Sequence, residues 1–258
     1  MWPASKAIPK ELFPLGRIPA IGHLLGELRE AGIQHVVLVV GQRALPLFEV
    51  FIDQSIHPPQ NVAGDPVVRI YQEVIANLEF TIIPQSGNYG NGTPLILAAD
   101  VVGSEPCIYA FGDDIVFGEN PSIGLIDTFN RTGCPVLATQ HVEPSRKSQF
   151  GIVECYEDQQ VSYVSRLIEK PLPSETASDL ASFGRYLVTA DLMDKLRSAG
   201  PGRDNEVWFV DAVIQRIEQG GRVCSSPLTT GRWYTVGDPA SYAAAVAAAL
   251  DITRGSHK

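Results

Sequence analysis

The sequence lacks the features of several common protein classes. It has no apolar run near the ~20 residues that a membrane-spanning helix needs, and no charged-then-apolar signal peptide at its start. Positive charge is scarce, with 20 Lys and Arg against 29 Asp and Glu, which argues against a nucleic-acid-binding or anionic-membrane surface. Its four cysteines form neither a C-x-x-C pair nor a His/Cys zinc pattern. We therefore expect reduced thiols in a cytoplasmic protein without nucleic-acid or membrane partners.

Short strand-like segments alternate with helical segments over the first half of the chain. The run HVVLVV (35–40) has the composition of a strand buried on both faces, and IGHLLGELREAGI (21–33) has helical spacing that ends at Gly32. The second half is richer in strands: QFGIVECYEDQQVSYVSRLIEKP (149–171) predicts two strands around an acidic turn, whereas NEVWFVDAVIQRIEQGG (205–221) predicts a helix. The pattern favours one α/β domain with a mostly parallel, helix-covered sheet and a β-rich insertion.

Two acidic residues follow a predicted buried strand, CIYAFGDD (107–114). In open α/β sheets ligands gather at the carboxyl ends of strands, and one carboxylate there can hold Mg²⁺ together with phosphates. The alternative is that Asp113 and Asp114 only cap a turn and the segment after it. The local sequence favours neither interpretation.

A glycine-rich segment, QSGNYGNGTP (85–94), lies between a predicted strand and a predicted helix. Glycines at 87, 90 and 92 let the backbone approach a ligand closely. The segment is neither a P-loop nor G-x-G-x-x-G. From its glycines alone, a plain surface loop is the favoured interpretation.

Two lysine-containing segments are also candidates for chemistry. In LIEKP (167–171), Glu169 is suited to accept sugar hydroxyls and Lys170 to meet a phosphate. Successive residues of a strand point to opposite sides, so the two would not normally share a site. In KAIPKE (6–11), Lys6 and Lys10 lie on either side of a proline. Taken alone, each segment is more typical of solvated surface charge than of a binding site.

The order of these motifs resembles one family. PASKAIPKELFPL resembles P-A-T-K-A-I-P-K-E-M-L-P, and GNGTPLILAADVVGSEPCIYAFGDDIV is similar to a G-L-G-H-A-V loop and helix followed by P-D-D. Further along, FGIVE, LIEKP, ASFGRYLVTADL, NEVWFVDAV and GRWYTVGDPASYAAA resemble Y-G-I-V, V-E-K-P, I-I-G-R-Y, E-I-Q-L-T-D-A-I and G-x-R-Y-D-x-G in the same order. That family is the bacterial UTP–glucose-1-phosphate uridylyltransferases, or UDP-glucose pyrophosphorylases, of the sugar-phosphate nucleotidyltransferase superfamily. The resemblance covers nearly the whole chain.

The resemblance implies both a fold and a reaction. The fold would be a Rossmann-like, GT-A-like nucleotidyltransferase domain over 1–258, with a nucleotide-binding half (1–140) and a sugar-phosphate-binding half (141–258). The reaction would be attack by glucose-1-phosphate on the α-phosphorus of UTP, which releases pyrophosphate, with Mg²⁺ as the cofactor. It would depend on positioning and charge neutralisation more than on acid–base chemistry. Members of the family often form dimers or tetramers, so a homo-oligomer is expected.

The resemblance also implies roles for individual residues. The catalytic groups would be Lys10, Asp113 and Lys170, of which Asp113 holds Mg²⁺ and Lys10 binds phosphates. The nucleotide would be bound by Lys6, Gln85, Gly90 and Asp113. The sugar phosphate would be bound by Gly151, Glu169 and Lys170.

The sequence departs from the family pattern at three places. The family has a strand and a phosphate-cradling A-A-G-x-G-T-R loop just before the segment that matches residues 3–15, so we expect both to be encoded upstream of Met1. Thr235 replaces the aspartate of R-Y-D-x-G, for which Asp238, three residues on, is a candidate substitute, and Thr93 replaces the histidine of G-L-G-H. These departures keep two alternatives open: a non-catalytic relative that binds nucleotide or sugar phosphate, and a thymidylyltransferase or other hexose-1-phosphate nucleotidyltransferase.

Overall fold

The structure is a computed structural model that describes residues 1–200, 202 and 205–255. Its helices are α1 (Ala20–Glu30), α2 (Leu45–Ile52), α3 (Pro66–Ala76), α4 (Thr93–Val102), α5 (Pro121–Thr132), α6 (Ala190–Ala199), α7 (Phe209–Glu218) and α8 (Pro239–Gly255). Its strands are β1 (Pro14–Leu15), β2 (Ile18–Pro19), β3 (His35–Gly41), β4 (Glu79–Gln85), β5 (Cys107–Ala110), β6 (Asp114–Phe117), β7 (Val136–His141), β8 (Gly151–Asp158), β9 (Val161–Glu169), β10 (Leu180–Val188), β11 (Cys224–Pro227) and β12 (Arg232–Thr235). Among the described residues, no helix is both long enough and apolar enough to cross a membrane.

The chain forms two compact units that interleave along the sequence. Unit 1 comprises Met1–Pro84, Gly112–Asn120 and Gly231–Lys258, and unit 2 comprises Gln85–Phe111 and Pro121–Thr230. The division of one domain at residue 140 stays a prediction.

Unit 1 is built from helices and three two-stranded sheets, β1–β2, β3–β4 and β6–β12. The leucines of α1 lie on its buried face, as the sequence spacing predicts, and Gly32 follows the helix with a φ of +86° that suits glycine. The expectation that β3 is buried on both faces is wrong, because its residues alternate between buried and more exposed positions. The alternation is that of a strand with one covered face.

Unit 2 contains a six-stranded sheet in the order β5-β10-β7-β11-β9-β8. The α/β fold is confirmed, but the expectation of a mostly parallel sheet is wrong for this sheet. Only β7 and β11 pair in parallel among its described ladders, because β10 runs antiparallel to β5, β7 and β8, and β9 runs antiparallel to β8 and β11. Pairings so distant in sequence leave no signal in a single segment's composition.

Three predicted elements of unit 2 can be compared with the structure. The turn between β8 and β9 is confirmed: Gln159 and Gln160 both have positive φ, as a two-residue hairpin loop requires. The predicted strand 107–114 instead ends at Ala110, and Gly112 and Asp113 form a turn before β6, which begins at Asp114. The predicted helix 205–221 begins only at Phe209, and residues 206–208 are non-helical.

The apolar core of unit 2 lies between its sheet and the helices α4, α6 and α7. Four aromatic rings form its most concentrated part: Tyr109, Phe111, Tyr186 and Phe209, with centroids of contacting pairs 4.6 to 6.2 Å apart. A methyl group at Gly184 would overlap the Phe111 ring, so glycine is required there. This cluster holds the start of α7 against β5 and β10, which fixes the segment just before α7.

Candidate functional site

An ion pair in unit 1 joins two of the predicted catalytic residues. The Lys10 ammonium donates to Asp113 Oδ2 at 2.5 Å, and the two side chains are 35% and 19% exposed. Lys10 begins a short 3₁₀ turn after Pro9, and Asp113 immediately precedes β6. Burial alone would lower the pKa of Lys10, but the charge and hydrogen bond of Asp113 outweigh it and raise that pKa above its ordinary value. Lys10 is therefore a permanent cation at neutral pH.

Glu11 belongs to the same cluster, although sequence reasoning gave it no role. A methyl group at Gly112 would lie 3.1 Å from Glu11 Cγ, so the G-D-D turn packs closely against this side chain. Burial raises the pKa of Glu11, and the negative charge of Asp113 adds to the effect, while its own backbone N–H and Lys10 oppose it. The only feature of the sequence that could have indicated this is the position of Glu11 next to Lys10.

The end of β12 borders Asp113. Thr235 is the Cα partner of Asp114 in the β6–β12 ladder, and the Val236 N–H donates to the Asp113 carbonyl at 2.9 Å. A methyl group at Gly237 would lie 3.2 Å from Thr235 Oγ1 and 3.6 Å from Asp113 Oδ2. Thr235 therefore stands where the family aspartate is expected, next to the predicted metal ligand.

Asp238 is engaged elsewhere. Its Oδ1 accepts hydrogen bonds from the backbone N–H groups of Ala240 and Ser241 at 3.0 and 2.9 Å, which caps the start of α8. The suggestion that Asp238 substitutes for the missing aspartate therefore competes with this cap.

The surroundings of Asp113 fit a magnesium ion that is bound partly by the protein and partly by substrate phosphates and waters. Within the described ranges, no group of three or more His, Cys, Asp or Glu side chains is arranged to hold a metal by itself. Mg²⁺ is commonly bound by one or two carboxylates plus substrate phosphates and waters. Asp113 supplies such a carboxylate. Its Oδ2 is paired with Lys10, and a methyl group at Gly237 would lie 3.6 Å from this oxygen, so glycine at 237 avoids crowding it.

The glycine-rich loop 85–93 in unit 2 is fastened to residue 207. The Gly92 N–H donates to the Val207 carbonyl at 2.8 Å, and the Val207 N–H donates to the Tyr89 carbonyl at 2.9 Å. Gly90 has a φ of +123°, and a methyl group there would overlap the Val207 backbone. Gly90 is therefore required for contact with Val207, apart from any contact with a nucleotide base.

Two polar side chains complete this loop, and neither was predicted to do so. Asn91 Oδ1 accepts a hydrogen bond from the Phe209 N–H at 2.8 Å, and the Asn91 carbonyl accepts one from the Tyr109 hydroxyl. The Thr93 hydroxyl donates to the Asn88 carbonyl at 2.8 Å and so closes the loop on itself. The threonine that replaces the family histidine thus has a structural role here.

Glu169 and Gly151 are brought together at the end of the β8–β9 ladder. They are Cα partners, and a methyl group at Gly151 would lie 3.0 Å from Glu169 Oε2 and 3.4 Å from Ser182 Oγ. The Glu169 side chain is 15% exposed. Glycine at 151 thus makes room for the carboxylate.

Lys170 lies beside Glu169, contrary to the expectation that successive strand residues point apart. Its φ is +51°, in the left-handed region, so the strand alternation ends at Glu169. As a result the Lys170 ammonium is 4.0 Å from Glu169 Oε1, and it lies over the Trp208 ring, 5.8 Å from the centroid. Backbone strain of this kind is concentrated at functional sites.

The segment after Lys170 is held by a polar network that sequence reasoning missed. The buried Lys147 ammonium donates to the Thr176 carbonyl at 2.7 Å, and the Thr176 hydroxyl donates to Glu154 Oε1 at 2.6 Å. Ser178 Oγ donates to the Val153 carbonyl at 2.7 Å. These bonds hold the chain after the E-K-P motif against β8 and the short helical turn that precedes it.

Two further predicted residues have less informative surroundings. Lys6 is exposed, and its ammonium lies 6.0 Å from the centroid of the Trp2 ring. Gln85 is the last residue of β4 and is half-buried. Their roles in nucleotide binding stay predictions.

Comparisons with known proteins agree on one group. The sequence model described as "Nucleotidyl transferase" matches residues 1–252. The UTP–glucose-1-phosphate uridylyltransferase YngB of Bacillus subtilis is 30% identical over 92% of this chain and 80% of its own length. UTP–glucose-1-phosphate uridylyltransferase 2 of Staphylococcus saprophyticus is 30% identical over 92% of this chain and 82% of its own length. A crystal structure of a UDP-glucose pyrophosphorylase with UDP-glucose is similar with a TM-score of 0.87, at 23% identity, over 97% of this chain and 94% of that one.

Proposed function

Because this chain belongs to the nucleotidyl transferase family, we propose that it transfers a uridylyl group from UTP to glucose-1-phosphate, giving UDP-glucose and pyrophosphate. The uridylyltransferase relatives and the collinear motifs support this choice of substrates. The observation that carries the proposal is the 2.5 Å pair of Lys10 and Asp113, which sets a phosphate-binding cation beside a metal-binding carboxylate. Such a pair suits phosphoryl-type transfer, in which charge neutralisation supplies most of the catalysis.

In this mechanism an oxygen of glucose-1-phosphate forms a bond to the α-phosphorus of UTP, and the bond from that phosphorus to pyrophosphate breaks. Lys10 would exchange part of its contact with Asp113 for a phosphate oxygen and offset the charge that builds up in the transition state. Asp113 would hold Mg²⁺. When bound, that ion would neutralise charge on the phosphate oxygens.

The residues of unit 2 would bind and orient the substrates. Gln85 and the backbone around Gly90 would recognise the uracil edge. Glu169 would accept hydrogen bonds from glucose hydroxyls, in the space that Gly151 leaves, and Lys170 would hold the sugar phosphate. The left-handed backbone at Lys170 supports this assignment, since it brings both groups to the same side.

The setting of the enzyme is part of the proposal. All four cysteines are free thiols, which suits a reducing compartment such as the cytoplasm. Its partners would be the two small-molecule substrates, and a homo-oligomer stays an expectation.

The test is release of pyrophosphate by the purified protein with UTP, glucose-1-phosphate and Mg²⁺, with UDP-glucose identified as the second product. We expect turnover that requires both substrates. Competition by dTTP and by galactose-1-phosphate then measures the preference for base and sugar. Binding of UDP-glucose with no turnover would instead support the non-catalytic alternative, and faster turnover with dTTP would support thymidylyl transfer.

A further inference from the structure

The four residues Glu206–Phe209, here called the strap, are fixed at two of their backbone positions by the glycine-rich loop. Val207 exchanges hydrogen bonds with Tyr89 and Gly92, at 2.9 and 2.8 Å. The Phe209 N–H donates to Asn91 Oδ1 at 2.8 Å. Since bonds to the loop lie on both sides of residue 208, a movement of the loop must be transmitted to Trp208.

The other side of the strap contacts the predicted sugar-phosphate lysine. Trp208 has extended backbone dihedrals, φ −105° and ψ 126°, so its side chain points away from that of the buried Val207. Its ring contacts the Lys170 ammonium, 5.8 Å from the centroid, which is within cation–π range. Lys170 otherwise has a side chain 54% exposed and only a 4.0 Å approach to Glu169, so the ring is a main restraint on where its ammonium lies.

We propose that the strap couples the two substrate sites, with Trp208 and Asn91 as positioning residues, so that nucleotide bound at the loop increases affinity for the sugar phosphate at Lys170. This inference rests on the proposed function for the identity of the two ligands. Ordering of the loop by the nucleotide fixes Trp208, and a fixed Trp208 restricts Lys170 before the second substrate arrives, so less side-chain entropy remains to be lost. Coupling of this kind is reciprocal, and each ligand tightens the other by the same factor.

The first experiment separates positioning from a general structural role. In Trp208→Leu, which removes the π face, we expect KM for glucose-1-phosphate to rise about fivefold to tenfold, while KM for UTP at low sugar phosphate and the unfolding midpoint change little. Trp208→Phe keeps a π face and should restore most of the loss. Tyr156→Leu, which removes an exposed ring on β8, is the matched control and should leave both KM values unchanged.

The second experiment measures the coupling itself. The dissociation constant of glucose-1-phosphate is determined by calorimetry with and without a non-hydrolysable UTP analogue. We expect the analogue to tighten binding about fivefold or more in the wild-type protein. The factor should fall towards one in Trp208→Leu and in Asn91→Leu, but not in Asn91→Asp, which retains an acceptor for the Phe209 N–H.

Each result decides for or against the strap. Equal weakening of both ligands with an unchanged coupling factor overturns it, as does a coupling factor of one in the wild-type protein or a failure of these ligands to bind. Coupled binding without pyrophosphate release would leave the strap intact and refute the proposed activity. Pyrophosphate release without coupled binding would support the proposed activity and refute the strap.

Discussion

Lys10 and Lys170, one in each unit, are held in different ways. Lys10, in unit 1, is placed by charge: its ammonium is 2.5 Å from Asp113, and both Glu11 and Asp114 add negative charge around it. Lys170, in unit 2, is placed by geometry: a backbone φ of +51° turns it towards Glu169, and its ammonium lies over an aromatic ring. The first arrangement resembles a charge-neutralising centre, the second a binding pocket.

This difference predicts how each region responds to substitution. Where charge places a group, removing one carboxylate alters the electrostatics of every neighbour, so catalysis should suffer most. Where backbone geometry places a group, a substitution that removes the side chain's contacts should weaken substrate binding, whereas one that changes backbone strain should change the free energy of unfolding.

The largest effect is expected at Asp113. Asp113→Asn keeps the size of the side chain but removes the charge that holds Mg²⁺ and pairs with Lys10, so kcat for UDP-glucose formation should fall about 10²- to 10³-fold. Asp100→Asn, at a highly exposed position paired loosely with Arg197, is the matched control and should retain wild-type kcat. A loss confined to KM would show that unit 1, like unit 2, contributes only binding.

The next largest effect is expected at Gly90 in unit 2, where the backbone conformation and the contact with Val207 can be tested together. Gly90→Ala combines a positive φ with overlap of the Val207 backbone, so we expect a loss of about 2–3 kcal/mol in the free energy of unfolding and a raised KM for UTP. Gly87→Ala has a φ of +85° but open space around it, and should cost about 1 kcal/mol through strain alone. Chemical denaturation measures both. Equal losses would mean that the contact with Val207 does not matter.

The sequence predicted the fold class and the catalytic roles of Lys10 and Asp113 in different ways, but it did not predict the ion pair between them. Alternating segments predicted α/β architecture, and the resemblance assigned roles to the charged residues. The sheet direction was not predictable, because β10 pairs with strands far away in sequence. Trp208 and Asn91 were missed because each acts through a tertiary contact that no local pattern records. The position of Lys170 depended on a left-handed backbone conformation that is uncommon for lysine.

A third prediction separates strain from chemistry at Lys170. Lys170→Ala and Lys170→Gly both remove the ammonium, so both should raise KM for glucose-1-phosphate at least about tenfold. Only glycine relieves the left-handed backbone, so Lys170→Gly should be more stable to urea than Lys170→Ala by about 1 kcal/mol. If alanine proved as stable as glycine, the backbone at 170 would not be strained, and the geometric account of this lysine would fail.

The smallest effect concerns Glu11, at the edge of the charged centre. Burial, together with the charge of Asp113, raises the pKa of Glu11, so the folded protein binds this proton more tightly than the unfolded chain does. The resulting stability is fully present below the ordinary value of 4.5 and is lost as pH rises through the folded pKa. Above its ordinary pKa value, the carboxyl of Glu11 therefore contributes less to the stability of the fold than an uncharged side chain of similar size would.

Glu11→Gln removes that charge at similar size, so it should stabilise the protein at pH 7 by about 0.5 kcal/mol, with the gain disappearing as pH falls below 4.5. Urea denaturation of wild type and variant at several pH values measures the difference. Glu49→Gln, at an exposed position on α2, is the matched control and should leave the free energy of unfolding at pH 7 unchanged. A loss of stability at pH 7 that disappeared towards low pH would have the wrong sign for a raised pKa. It would indicate that Lys10, by pairing with Glu11 as well as Asp113, stabilises the ionised carboxylate.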